Sequence, residues 1–201
     1  MGRRPRSDVP RADPCPVHPW HLRRAAAVLR GGGVLAYPTE GVYGLGCDPL
    51  NPAAVRRLLA LKSRSADRGL ILIAADFAQL RPFLRPLRGA QRARVHTEWP
   101  GPVTWLLPAQ PWVPGLLRGA HECLAVRVTA HPVAAALCTA AGFPLVSTSA
   151  NPTGRPPARS ALAVRRWFGR DIDYLVHGGA GERRHPTEIR DARTGRVLRP
   201  G

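Results

Sequence analysis

Between Val34 and Ile73 the chain runs VLAYPTEGVYGLGCDPLNPAAVRRLLALKSRSADRGLILI. This stretch limits the possible folds more than any other. An apolar run from Val34 to Tyr37 stops at Pro38, and Thr39 and Glu40 put two polar side chains on the turn that follows. Gly41, Gly44 and Gly46 come next, where backbone can approach a ligand closely. Asn51-Pro52 opens a helix, Asn as cap and Pro in the first helical position. Val55, Leu58 and Leu59 form its apolar stripe. The helix runs into Lys62, Ser63 and Arg64, then Arg68, before a second apolar run from Leu70 to Ala74. Strand, polar turn, helix, cationic loop and strand in that order suit a site for something small, polar and anionic.

The rest of the chain extends this pattern. A helix is expected from His18 to Arg30, closed by Gly31-Gly32-Gly33. Asp76 can cap a helix over Phe77 to Leu84, and Ala90 to Trp99 forms another, ended by Pro100-Gly101-Pro102. Val103 to Ala109 and Leu124 to Val128 are expected strands, with Leu116 and Leu117 in a loop between them. His131-Pro132 starts a helix that Gly142 stops. Phe143 to Thr148 is a strand leading into Ser149, Ala150 and Asn151. Ser160 caps a helix to Phe168, Tyr174 to His177 is a strand, and Gly178 to Gly181 is a flexible segment. Two short strands, Thr187 to Asp191 and Arg196 to Arg199, flank the turn Thr194-Gly195. Strands alternating with helices predict an α+β chain with α/β-type layers: one mixed sheet flanked by helices in one domain, 18–201. Residues 1–17, rich in Arg, Pro and Asp, are expected to be a disordered basic tail.

With 201 residues and 44% hydrophobic content the chain can build a real core. No apolar run approaches the ~20 residues of a membrane span. The basic N-terminus lacks a following apolar h-region, so a cytoplasmic protein without a secretory signal is expected. Net charge is +17, nearly all from arginine, because Lys62 is the one lysine in the chain. An arginine-biased genome accounts for the exposed guanidiniums. A lysine kept in a Gly- and Arg-rich segment points to a need for a compact ammonium, although chance retention explains it too. The positive field favours polyanions such as RNA as a non-specific term. Cys15, Cys47, Cys123 and Cys138 lack C-x-x-C spacing, so reduced thiols and no metal site are expected.

Four polar clusters follow apolar strands: Thr39-Glu40, Arg127 with Thr129, Ser147 to Asn151, and Thr187 with Arg190. Ligands gather at strand ends in layered sheets. Arg127, inside LAVRV, cannot stay buried unpaired. Either a buried carboxylate such as Asp191 holds it, or it is a fork for a ligand carboxylate. Ser147 to Asn151 is either a capped turn or a run of small donors. Glu40 serves equally well as a turn residue or as an orienting group for a water or an amine. No P-loop, G-x-G-x-x-G or G-x-S-x-G motif is present.

Six segments, AYPTEGVYGLGCDP, LKSRSADRGLILIA, WPGPVTWLLPA, LAVRVTAHP, PLVSTSANPTGRPP and PTEIRDARTGRVLRPG, resemble in order the signatures of the YrdC/Sua5 family of threonylcarbamoyl-adenylate synthases. The resemblance is closest to the short bacterial TsaC form. It implies a YrdC/RibB-like twisted mixed sheet with a concave basic cavity. It implies a reaction of L-threonine, bicarbonate or CO2 and ATP, with Mg²⁺, giving threonylcarbamoyl-AMP and pyrophosphate, the first step of the t6A modification of tRNA. TsaB-, TsaD- and TsaE-type partners would complete the transfer, with tRNA contacted weakly or indirectly. Thr39, Arg127, Ser147 and Thr187 resemble threonine-binding positions. Lys62 and Arg64 resemble the catalytic triphosphate ligands, and Arg68, Ser149, Asn151 and Arg199 resemble nucleotide contacts. Ser65 and Arg68 stand where the family often has Pro and Lys, which keeps the charge but changes the donor geometry. The competing expectation is an RNA-binding module, acting in ribosome maturation without ATP chemistry.

Overall fold

The structure, a computed structural model, describes residues 15–87, 89–183 and 187–201. Residues 1–14 of the expected disordered tail lie outside them, as do 184–186 next to the expected flexible segment. Helix α1 (Pro19–Arg30) starts with His18 accepting from Trp20 N at 3.2 Å. Strands β1 (Leu35–Pro38) and β2 (Tyr43–Gly46) form a hairpin around the Thr39-Glu40 turn. Helix α2 (Pro52–Leu61) is capped as expected, Asn51 Oδ1 accepting from Ala53 N and Ala54 N at 3.1 Å each. Then come β3 (Ile71–Ala74), α3 (Phe77–Leu80), α4 (Gly89–Glu98), β4 (Val103–Pro108), α5 (Gly115–Arg118) and β5 (Cys123–Val128). The chain continues through α6 (Pro132–Ala141), β6 (Leu145–Ser149), α7 (Ala161–Phe168), β7 (Tyr174–Leu175), β8 (Glu188–Asp191) and β9 (Val197–Arg199).

Three elements differ from expectation. Tyr43–Gly46 forms a strand, not a turn. Gly46 is there because a side chain would collide: its Cβ would sit 2.6 Å from Val146 O and 2.7 Å from Tyr37 Cε1. The helix after Asp76 is shorter than expected. Asp76 caps it through Gln79 N at 3.1 Å, but the chain tightens into a 3-10 turn over Arg81–Phe83. Pro82 offers no N–H to continue an α-helix. Leu116 and Leu117 lie on α5, where Leu117 is buried.

The sheet is mixed, in the order β7-β1-β2-β6-β3-β5-β4-β8-β9, with helices on it, a layered α/β architecture. Alternation along the strands separates two faces. Ala36, Leu72, Trp105, Leu107, Val126 and Val146 point into the larger core, which also holds Leu58 of α2, Leu80 of α3, Val95 of α4 and Val164 of α7. On the opposite face, Leu35, Tyr37, Ile73 and Leu145 pack under α1 and α6. Those two helices cover only part of that face. Beyond them Gly44, Ile71, Arg127, Ser147 and Ser149 border an uncovered concavity.

Candidate active site

Arg127 sits next to the end of β5, opposite Ile73 of the parallel neighbour β3, and is 4% exposed. Its partner is Glu40, not Asp191. Arg127 Nη2 lies 3.2 Å from Glu40 Oε2, and Nη1 donates to Thr187 Oγ1 at 2.5 Å. Asp191 instead accepts from Arg193 N at 2.7 Å. Glu40 Oε1 accepts from Thr129 Oγ1 at 2.6 Å and from Ala130 N at 3.3 Å. Burial would push the Glu40 carboxyl up, but the Arg127 guanidinium and the Thr129 hydroxyl outweigh it and hold the carboxyl below its ordinary value. Arg127 Nε is buried and has no partner among the described residues. The ion pair therefore fixes the guanidinium while leaving a donor unspent.

The cavity encloses about 700 Å³ including its mouth, and Arg127, Arg64 and Arg199 all line it. No carboxylate does so among the described residues. Burial lowers the Arg199 pKa, with Arg127 and Arg64 adding repulsion; burial lowers that of Arg64, with Arg68 adding to it. Guanidiniums that destabilise one another in a half-enclosed space favour an anion between them. Arg199 Nη2 donates to Thr187 O at 2.7 Å, and Arg64 Nη2 to Gly69 O at 2.9 Å.

The Lys62-Ser63-Arg64 turn is set by the end of α2. Ser63 N donates to Ala60 O at 2.9 Å and Arg64 N to Leu59 O at 3.0 Å. This is a Schellman closure, with Ser63 in the left-handed position (φ 46°) that glycine usually fills. A serine there is strained by about 1–2 kcal/mol. Lys62 does not line the cavity. Its ammonium donates to Asn151 O at 2.5 Å and to Asn151 Oδ1 at 2.7 Å. Burial, with the Arg64 charge beside it, pushes its pKa down to about 8. Ser149 Oγ donates to the same Oδ1 at 2.7 Å. Asn151 thus ties the lysine to the cavity wall that Ser149 lines.

Of the residues singled out from sequence, the fold brings Thr39, Arg64, Arg127, Ser147, Ser149, Thr187 and Arg199 to one cavity. Lys62 and Asn151 stand one contact behind it. Arg68 lies outside it, on an adjoining groove that shares Arg64 and Arg199. Gly41 and Gly44, read as places of close backbone approach, line the cavity too, and so does Tyr43, which was missed. The period-two pattern of YGLG was the available signal. Tyr43 Oη donates to Gly178 O at 2.5 Å, His131 Nε2 lies 3.1 Å from Gly179 O, and Gly181 N donates to Thr39 O at 2.9 Å. The glycine segment expected to be flexible is therefore fastened to the cavity rim. Gly181 lies against the turn so closely that a Cβ there would meet Glu40 O at 2.3 Å.

The family model Sua5_yciO_yrdC, described as "Telomere recombination", matches residues 27–201. The chain is 60% identical over 180 residues to the threonylcarbamoyl-AMP synthase of Nitrosococcus oceani, covering 90% of this chain and 97% of the relative. It is 57% identical over 187 residues to the enzyme of that name from Halorhodospira halophila, covering 92% and 98%. Among solved structures, P. abyssi Sua5 complexed with L-threonine matches with a TM-score of 0.85 at 35% identity, covering 90% of this chain and 54% of that one. The chain thus spans little more than half the length of that Sua5. E. coli YciO matches with a TM-score of 0.79 at 28% identity, covering 90% and 88%. The signature segments, the layered fold and these matches agree: the chain belongs to the Sua5/YciO/YrdC family.

Proposed function

We propose that this chain is an L-threonylcarbamoyl-AMP synthase, joining L-threonine, bicarbonate or CO2 and ATP and releasing pyrophosphate. The observation that carries this reading is Arg127: buried, pinned by Glu40 and Thr187, on the wall of a cavity that two more arginines share. A guanidinium so held suits the carboxylate of an amino acid. Relatives that share most of the chain's length carry the synthase name, and a structural relative is complexed with L-threonine.

Roles follow from position. Arg127, with Thr39, Ser147 and Thr187 around it, holds the threonine carboxylate and side chain. Arg64 and Arg199 hold phosphate oxygens, Ser149 contributes a hydroxyl, and Lys62 reaches the phosphates by leaving Asn151. The threonine amine loses a proton and forms a C–N bond to CO2. An oxygen of the resulting carbamate attacks the α-phosphorus, and the bond to the leaving pyrophosphate breaks. Holding anions together against fixed positive charge is most of the task, so a dedicated acid–base pair is not required. Among the described residues no group of three or more His, Cys, Asp or Glu could hold a metal ion. Mg²⁺ is therefore read as entering on the phosphates of ATP, where it would neutralise the charge of the leaving group.

In this reading the product feeds the t6A modification of tRNA through TsaB-, TsaD- and TsaE-type proteins, with tRNA itself contacted weakly or indirectly. That chemistry belongs in the cytoplasm; no helix among the described residues is long and apolar enough to cross a membrane. The test is pyrophosphate release from ATP by purified protein. Release that needs both L-threonine and bicarbonate supports the reading. Release indifferent to threonine contradicts it, and no release at all alongside tight RNA binding replaces it with the binding-module alternative.

A further inference from the structure

A second cationic concavity lies on the other face of the sheet, between α3 and α4. It encloses about 910 Å³ including its open side, and Arg81, Arg85, Arg92 and His96 line it together with apolar Phe77 and Leu87. Leu84 of its wall belongs to the larger core, the one facing away from the active cavity. The groove is built, not incidental. Arg85 N donates to Pro108 O and Gln110 N to Phe83 O, each at 2.9 Å, and Leu84 bridges Ala109. Arg85 Nε donates to Ala109 O at 3.1 Å, which fixes the guanidinium, and its two terminal nitrogens have no partner among the described residues. Gln110 Nε2 donates to Leu84 O at 3.2 Å, leaving its carbonyl oxygen as an acceptor in the groove.

Charge decides what the groove would take. Some arginines of the chain stand beside carboxylates, Arg57 with Asp173 and Arg190 with Glu98 and Glu188. Here no carboxylate lines the groove among the described residues, and four cationic or protonatable side chains face one space. The Phe77 ring, 5.7 Å from His96 in an edge-on arrangement and 6.2 Å from Trp99, adds an aromatic side chain to the lining. Guanidiniums beside an aromatic and apolar lining, in a chain of net charge +17, match phosphodiesters with stackable bases. We propose that the groove between α3 and α4 is a docking site for a single-stranded segment of RNA. An acidic peptide would use the charges and leave the Phe77 ring without a matching partner.

The experiment is fluorescence anisotropy with a labelled RNA of about ten nucleotides, using the full chain across a salt series. The variants are the triple Arg81→Ala/Arg85→Ala/Arg92→Ala and a control triple with the same charge change on exposed residues of and next to α1 and α7, Arg23→Ala/Arg166→Ala/Arg170→Ala. The groove triple weakens binding about tenfold or more and flattens the salt slope by about two, the change for three phosphate contacts on a single strand. The control triple changes it less than about threefold. Threonine-dependent pyrophosphate release stays at the wild-type level in both, which also reports that they fold. Should the groove triple not fold, Arg92→Ala and His96→Ala, both at exposed positions, read the same loss at smaller scale. Equal losses in the two triples would assign binding to the overall field and overturn the site. Displacement of RNA by polyglutamate at matched charge concentration would overturn the choice of RNA.

Discussion

Replacing Glu40 by glutamine removes one charge and almost no volume, so it isolates what the carboxylate does. In the folded protein Arg127 is 4% exposed and sits 3.2 Å from Glu40. Removing one partner of a buried ion pair leaves the other buried and uncompensated, at a cost of about 3–5 kcal/mol. For a chain of this length that lowers Tm by roughly 6–20 °C. L-Threonine should partly restore it, because its carboxylate supplies the missing counter-charge. The thermal gain from saturating threonine is therefore expected to be larger in Glu40→Gln than in wild type. The pH dependence has a definite sign. Glu40's folded-state pKa lies below its ordinary value of 4.5. Its contribution is therefore complete above that value and is lost as pH falls through the folded pKa. The Tm gap between wild type and Glu40→Gln should close on acidification. Thermal melts of wild type, Glu40→Gln, Arg127→Met and the double variant complete a cycle. Strictly additive losses, or a Glu40→Gln melt within about 2 °C of wild type, would refute the pairing.

Two further expectations separate fold from function. Gly46→Ala drives a Cβ to 2.6 Å from Val146 O and should destabilise the protein by about 1–3 kcal/mol, measured by urea unfolding. Gly44→Ala meets nothing nearer than Ser147 Oγ at 3.3 Å, so it should fold normally and raise the KM for threonine by narrowing the cavity. Arg64→Ala and Lys62→Ala should each slow pyrophosphate release by about a hundredfold, the scale for losing a fixed charge-stabilising donor. Unchanged turnover in both would remove the phosphate assignment.

The parts of this fold written in local chemistry could be read from the sequence. Asn51-Pro52 and Ser160 cap helices where expected, and Gly142 closes α6 in the left-handed conformation. The alternation in LAVRV placed Arg127 at an apolar strand with its charge needing a partner. Which partner was not legible. Glu40 and Asp191 are both far from Arg127 in sequence, and strand order would have favoured the wrong one, because β8 lies two strands from β5 and β1 lies four; Thr129 and Ala130, just after β5, are what hold the Glu40 carboxylate beside Arg127. Strand β2 was hidden because Gly44 and Gly46 look like turn residues until Tyr37 and the cavity occupy the space beside them. Asn151 as the holder of Lys62 was equally invisible, being a contact between two loops 89 residues apart.

The central claim is that one cavity brings an amino acid's carboxylate and a nucleotide's phosphates to the same ring of arginines. Incubation with ¹³C-bicarbonate, L-threonine and ATP, followed by mass spectrometry, tests it most directly. The account predicts a single species carrying the labelled carbon between threonine and AMP, formed by wild type and strongly reduced with Arg127→Met. AMP formed without the label, or a labelled product undiminished by loss of Arg127, would contradict it.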